Sequence, residues 1–351
     1  MSPSTTYHST SSSSFSSYGV AHNRFSPLSL FNVNGLVVVV TGGGSGIGRM
    51  MATALENNGA TVYIIGRRLD ALQKTAKENN RFDRIIPLEG DVTDRESLLS
   101  LVDKVKSRHG YIDLLVNNAG IARNLYPHPL PSPSNPHPSH HPPSPPDSPS
   151  LGSPPVASIK SFQTALWDSG TPEEFAETFA TNVTAPYYTT VAFLELLHRG
   201  NTRQQTNQFD SAFLNNGSSV PRPPFHASQV ITVSSSGSFR IDSKILSMSY
   251  TLSKSASTHL GKTLANLLAP WGIRSNVLAP GRLWDLIYSE MTMSQKLDPT
   301  TMSSTVPLQR AGTEEEMAGT ILFLASPAGA YVNGAVWLID GGRVVSTSST
   351  Y

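Results

Sequence analysis

Read only for apolar and polar positions, the chain alternates two patterns. Short runs rich in β-branched residues recur at Leu36 to Val40, Thr61 to Ile65, Ile85 to Leu88, Ile112 to Val116, Val230 to Val233, Ile273 to Ala279 and Ala335 to Ile339. Runs this short and this uniformly apolar fit strands buried on both faces. Between them the apolar residues fall at helical spacing, as at Leu69, Leu72 and Ala76, at Leu98, Leu99, Val102 and Val105, and from about Tyr250 to Leu268. A helix is also expected through Phe175, Phe179, Val183 and Tyr187 towards Leu197, and another at Ile321, Leu322 and Leu324. Three starts carry a cap signature: Thr93 with Glu96, Thr171-Pro172-Glu173-Glu174, and Thr313 with Glu316. Strands alternating with helices predict an α/β fold, a doubly wound seven-stranded parallel sheet with helices on both faces.

Two segments break the alternation. Between Pro127 and Pro155 stand 13 of the chain's 26 prolines, mixed with serine and with His128, His137, His140 and His141. Proline supplies no N–H and biases its neighbour to extended backbone, so this stretch cannot join the sheet. Its histidines have no spacing that gathers them round a metal, and no metal site is expected. A second polar loop is expected from roughly His198 to Ser228. Residues 31–345 are thus one domain, with inserts at about 124–160 and 198–228, behind a Ser/Thr-rich tail at 1–30.

Composition narrows the partners. The net charge of +1, without a basic block, argues against nucleic acid. No apolar run approaches the ~20 residues of a membrane span. The absence of cysteine excludes disulfides and thiolate metal sites. The tail has no acid before Glu56, but Arg24 is the only Lys or Arg before Arg49. An organelle signal would be Arg-rich, so a disordered tail and a cytoplasmic location are expected.

Chemistry concentrates at strand ends. After Leu36 to Val40 come Thr41, then glycines at 42, 43, 44, 46 and 48, then an amphipathic run. Strand, glycine turn and helix in that order form a phosphate cradle, because glycine admits close backbone approach and a helix start presents free N–H groups. Tyr250 and Lys254, four apart on a helix, share one face. An ammonium beside a phenol favours the phenolate, a shift of about 4 kcal/mol being needed for proton exchange at neutral pH. They follow a strand that ends in Ser234-Ser235-Ser236, where hydroxyls face the ligand crevice of an open α/β sheet.

These motifs together resemble the classical short-chain dehydrogenases/reductases, fungal NADP(H)-dependent members included. Thr41-Gly42-Gly43-Gly44-Ser45-Gly46-Ile47-Gly48 is similar to the family's cofactor turn, and Asn117-Asn118-Ala119-Gly120 to its structural motif. Asp91 and Val92 stand where the family meets adenine, and Pro280-Gly281 at its nicotinamide-side turn. Asn182, Ser235, Tyr250 and Lys254 match its catalytic tetrad, and Gly334 and Asp340-Gly341-Gly342 its closing strand. The resemblance implies a Rossmann fold and reduction of a ketone to a secondary alcohol, or the reverse. Tyr250 would then be the proton donor, Ser235 would orient the carbonyl, and Lys254 and Asn182 would form the proton relay. Bound dinucleotide would meet Thr41, Gly42, Ser45, Gly46, Ile47, Gly48, Asn118, Ala119 and Gly120, with Tyr250, Lys254, Pro280 and Gly281 beyond. It also implies a homo-oligomer, tetramer or dimer, built through the helices bearing Asn182 and Tyr250. A catalytically silent dinucleotide sensor or scaffold is the second reading.

Three details come from the residues themselves. The second strand ends in Gly66-Arg67-Arg68 with no acid until Asp70, which favours a 2′-phosphate and so NADP(H). Pro186 has no N–H to offer the Asn182 carbonyl, leaving it open to a water or leaving only a kink. Arg282 to Pro307, with Trp284, Leu286, Ile287, Tyr288, Met291, Met293 and Met302, reads either as an adaptable apolar lid or as a helix packed on the sheet. The resemblance implies a small carbonyl or alcohol as substrate, and no residue names it.

Overall fold

The computed structural model describes residues 25–133, 157–214, 227–281 and 305–351, with backbone alone for 205–214. The expected tail before residue 25, most of the proline-rich insert and nearly all of Arg282 to Pro307 lie outside the described residues.

Seven strands form one parallel sheet: β1 (Val37–Thr41), β2 (Thr61–Gly66), β3 (Ile85–Glu89), β4 (Leu114–Asn117), β5 (Gln229–Val233), β6 (Arg274–Pro280) and β7 (Val336–Ile339). Their order is β3-β2-β1-β4-β5-β6-β7, every pair parallel. The order reverses beside β1, and the crevice above the β1 and β4 ends is where such a sheet takes its ligand. The valines of β1 explain its central place. Val38 and Val40 enter one core with α2 (Gly46–Asn57), while Val37 and Val39 enter the other with α4 (Arg95–Arg108). A short helix, α1 (Pro27–Leu30), precedes the sheet, and α3 (Leu69–Asn79) packs between β2 and β3.

Two expectations about local structure need correction, and one helix was not expected. Thr93 does not cap α4; its N–H and hydroxyl both donate to Asp91 Oδ1, at 2.8 and 2.7 Å. The cap is Asp94, whose carboxylate accepts from the N–H groups of Glu96 and Ser97. The insert ends in a helix, α5 (Ile159–Trp167), capped by Ser158 and leading into α6 (Pro172–Phe179). The expected polar loop from His198 is helical as far as Leu214, because α7 (Ala185–Leu214) continues through it. Its polar residues serve a buried acid: Asp113 accepts from Arg203 Nη2 at 3.0 Å and Gln204 Nε2 at 2.9 Å. The Thr171/Glu174 and Thr313/Glu316 capping boxes form as expected, the latter starting α9 (Glu314–Ala325) after α8 (Met248–Leu268). No helix among the described residues is long and apolar enough to cross a membrane.

Candidate active site

The glycine turn is built by close approach. Gly42 has φ +66°, and a Cβ there would stand 2.9 Å from Ala119 Cα; a Cβ on Gly48 would stand 2.3 Å from the Gly42 oxygen. Thr41 Oγ1 accepts the N–H groups of Asn118 and Ala119 at 3.0 and 3.1 Å, and Asn118 Nδ2 donates to the Thr41 and Gly42 carbonyls. The turns after β1 and β4 are therefore latched together. Ser45, the N-cap of α2, makes no side-chain capping bond, so the first-turn N–H groups keep their donors for a ligand. A glycine-rich cradle that ends in a helix start without a side-chain cap fits a pyrophosphate.

Above it runs a cleft of about 910 Å³ that joins the predicted residues. Gly42, Ser45, Gly46, Ile47, Arg67, Arg68, Asp91 and Val92 line one end. Asn118, Ala119, Gly120, Ser235, Tyr250, Lys254, Pro280 and Gly281 line the other. Thr41 and Gly48 are not on its lining; Thr41 latches the turns after β1 and β4, and Gly48 packs against the Gly42 oxygen. Asn182 is not on the lining either. The cleft further takes Arg123, Arg240, Lys244 and Arg343 from segments without periodic signal, which the sequence reading missed. Of the insert's histidines only His128 is described; its Nε2 lies 2.9 Å from the Ile245 oxygen.

Ser234 and Ser235 differ in their bonding. Ser234 Oγ lies 2.8 Å from the Lys254 carbonyl and 2.7 Å from Thr258 Oγ1, buried under α8. Ser235 Oγ accepts the Gly237 N–H at 3.0 Å and keeps its proton to donate into the cleft. Lys254 is 5% exposed; its Nζ donates to the Val233 carbonyl at 2.9 Å and stands 5.9 Å from the Tyr250 ring centre. Burial lowers its pKa from an ordinary 10.5 to about 8.

Asn182 sits in a π-turn at Ala180–Thr184, where the Ala185 N–H reaches the Ala180 carbonyl. Its side chain clamps Ile121, Oδ1 accepting the N–H and Nδ2 donating to the carbonyl, both at 2.9 Å. Nδ2 also donates to Ser253 Oγ at 3.0 Å. The main-chain carbonyl is not left open by Pro186. Ser257 Oγ donates to it at 2.6 Å, sharing its proton with the Ser253 carbonyl at 2.8 Å. The proline frees the carbonyl from the helix, and a hydroxyl of α8 donates to it.

Comparison with known proteins agrees with this architecture. A family profile described as short chain dehydrogenase matches residues 36–132, and one described as enoyl-(acyl carrier protein) reductase matches residues 211–343. The chain is 40% identical over 329 residues to the short-chain dehydrogenase/reductase VdtF of Byssochlamys spectabilis, covering 92% of this chain and 97% of that one. It is equally identical to PhomF of Diaporthe leptostromiformis, over 92% of this chain and 96% of the relative. Among solved structures, the RhlG/NADP active-site complex of Pseudomonas aeruginosa superposes with TM-score 0.66 at 26% identity, over 90% of this chain and 99% of that one. With two fifths of its residues shared along nearly the whole of two fungal relatives, the chain belongs to the classical short-chain dehydrogenase/reductase family.

Proposed function

We propose that the protein is an NADPH-dependent ketone reductase, working reversibly on a secondary alcohol. The observation that carries this is the single cleft with the glycine cradle and Arg67 and Arg68 at one end and Ser235, Tyr250 and Lys254 at the other. NADPH, when bound, supplies hydride to the carbonyl carbon. Tyr250 passes its phenolic proton to the substrate oxygen. Ser235 donates a hydrogen bond to that oxygen as charge develops, its Oγ already oriented by the Gly237 N–H. The Lys254 ammonium favours the phenolate of Tyr250 and returns the proton. Asn182, held by Ile121, Ser253 and Ser257, keeps the wall behind Lys254 in place.

Preference for NADP(H) rests on charge. Arg67 and Arg68 line the cleft where β2 ends, and no carboxylate stands there to take a ribose hydroxyl. The NADP complex of RhlG supports the same reading. Residues 31–345 act as one catalytic domain. Exposed Tyr187, Tyr188 and Val191 on α7 and Leu252 on α8 support pairing of copies through these helices.

The test is NADPH and NADH oxidation against a panel of ketones, with Tyr250→Phe beside the wild type. Turnover with NADPH that falls at least about 100-fold in the variant is expected. Undiminished turnover in Tyr250→Phe defeats the proton assignment; tight dinucleotide binding with no turnover of any ketone favours the sensor.

A further inference from the structure

The cleft extends beyond Tyr250 into a lobe that the chemistry above does not use. One side of it is the turn from Arg240 to Leu246, which places Arg240, Lys244, Ile245 and Leu246 on the lining. This turn is held from four directions. Asp242 takes the Arg240 guanidinium at 2.7 and 2.5 Å and the Lys244 N–H at 2.7 Å. The Ile241 N–H donates to the Ser348 carbonyl at 3.0 Å. The Ile245 carbonyl meets His128 Nε2, and the Leu246 carbonyl accepts the Tyr126 N–H at 3.0 Å. The result is a turn whose backbone is held in place on the cleft lining.

The charges on the lobe do not cancel. Arg240, only 8% exposed, is neutralised by Asp242, and Arg123 is paired with Glu177 at 3.2 Å. The Lys244 ammonium has no acceptor among the described residues. Asp91 is the one carboxylate on the described lining, and it lies at the dinucleotide end, held by Thr93. Beside this cation the lining is apolar, with Ile121, Ile245 and Leu246. An exposed ammonium on the lining without a described acceptor, beside apolar side chains, favours a ligand that carries an anion.

We propose that Lys244, presented by the Arg240–Asp242 turn, is a specificity-determining residue that binds an anionic group of the ketone substrate. The proposal rests on the ketone-reductase reading. The anion is a carboxylate or a phosphate, both of which an ammonium accepts as a point charge.

The test uses three ketones of one chain length: a 3-oxo acid, its ethyl ester, and the same chain ending in a phosphate monoester. NADPH oxidation gives kcat/KM for each at low and high salt. In the wild type at low salt, at least one anionic ketone is expected to exceed the ester by about tenfold or more. The ratio should fall towards one in 0.5 M KCl, because an exposed charge contact is screened. Lys244→Met should lower the ratio about tenfold at low salt, through KM, and Lys244→Arg should restore most of it. Preference for the acid identifies a carboxylate and preference for the monoester a phosphate. Turnover of the ester with equal or poorer turnover of both anions overturns the proposal, as does a ratio that neither salt nor Lys244→Met changes. Absence of turnover with all three overturns the reductase reading, and this proposal with it.

Discussion

Replacing Lys254 by methionine should make the dinucleotide-free protein more stable while abolishing turnover. The two side chains have similar length and volume, so the exchange leaves little cavity. Burial holds the Lys254 pKa at about 8 against an ordinary 10.5, which corresponds to about 3 kcal/mol paid for keeping the ammonium inside the fold at pH 7. The variant loses this penalty. It also leaves the Val233 carbonyl, now 2.9 Å from Nζ, without that donor, at about 1–2 kcal/mol. The net expectation is a gain of about 1–2 kcal/mol at pH 7. The pH dependence gives a second signature. Between pH 8 and 10.5 the unfolded lysine binds a proton that the folded one has released, so wild-type stability rises with pH across this window. The methionine variant lacks this rise, so the gap should be full below pH 8 and reverse by about pH 10.5, where only the lost Val233 bond still separates the two proteins. Urea unfolding at pH 7 and near pH 10.5, with midpoint and slope compared, measures it. A variant less stable than wild type at pH 7, or a gap of equal size at both pH values, refutes the reasoning.

Three further outcomes are expected. Alanine at both Arg67 and Arg68 should weaken NADPH binding about 10–100-fold in a fluorescence titration and leave NADH nearly unchanged; parallel loss of both would defeat the charge argument. Gly48→Ala should destabilise the protein and loosen dinucleotide binding, since its Cβ meets the Gly42 backbone oxygen at 2.3 Å, whereas Gly319→Ala in the interior of α9 meets nothing within 4 Å and should add about 0.5–1 kcal/mol in the same urea assay. Glu56→Ala should cost about 3 kcal/mol, because the buried carboxylate accepts the N–H groups of Arg81, Phe82 and Arg84 ahead of β3; a midpoint within error of wild type would show that this turn holds without it.

The parts of this protein that could be read in advance are those whose cause is local. The valines of β1 are buried on both sides, so a run of them can only be a central strand, and the glycine turn follows from the space its neighbours leave. What escaped has its cause elsewhere in the chain. The second half of α7 looks like a loop because its residues are polar, yet Arg203 and Gln204 are there to satisfy Asp113, some ninety residues earlier. Thr93 is a plausible cap in isolation, but Asp91 captures both of its donors and the helix starts on Asp94 instead. The same distinction runs through the candidate site. A motif singles out Thr41, Gly48 and Asn182 and yet does not say that they are absent from the cleft lining. Lys244 and Arg240 carry no motif, and only the meeting of the Arg240–Leu246 turn with residues 126–128 and 348 puts them on the lining. Pro186 shows both halves of the lesson at one atom. The missing N–H is a local fact and does release the Asn182 carbonyl from its helix, while the group that then bonds it, Ser257, is set by how α8 packs against the π-turn. A partner across the fold, and not the residue type alone, decides which atom of a conspicuous residue remains available for chemistry.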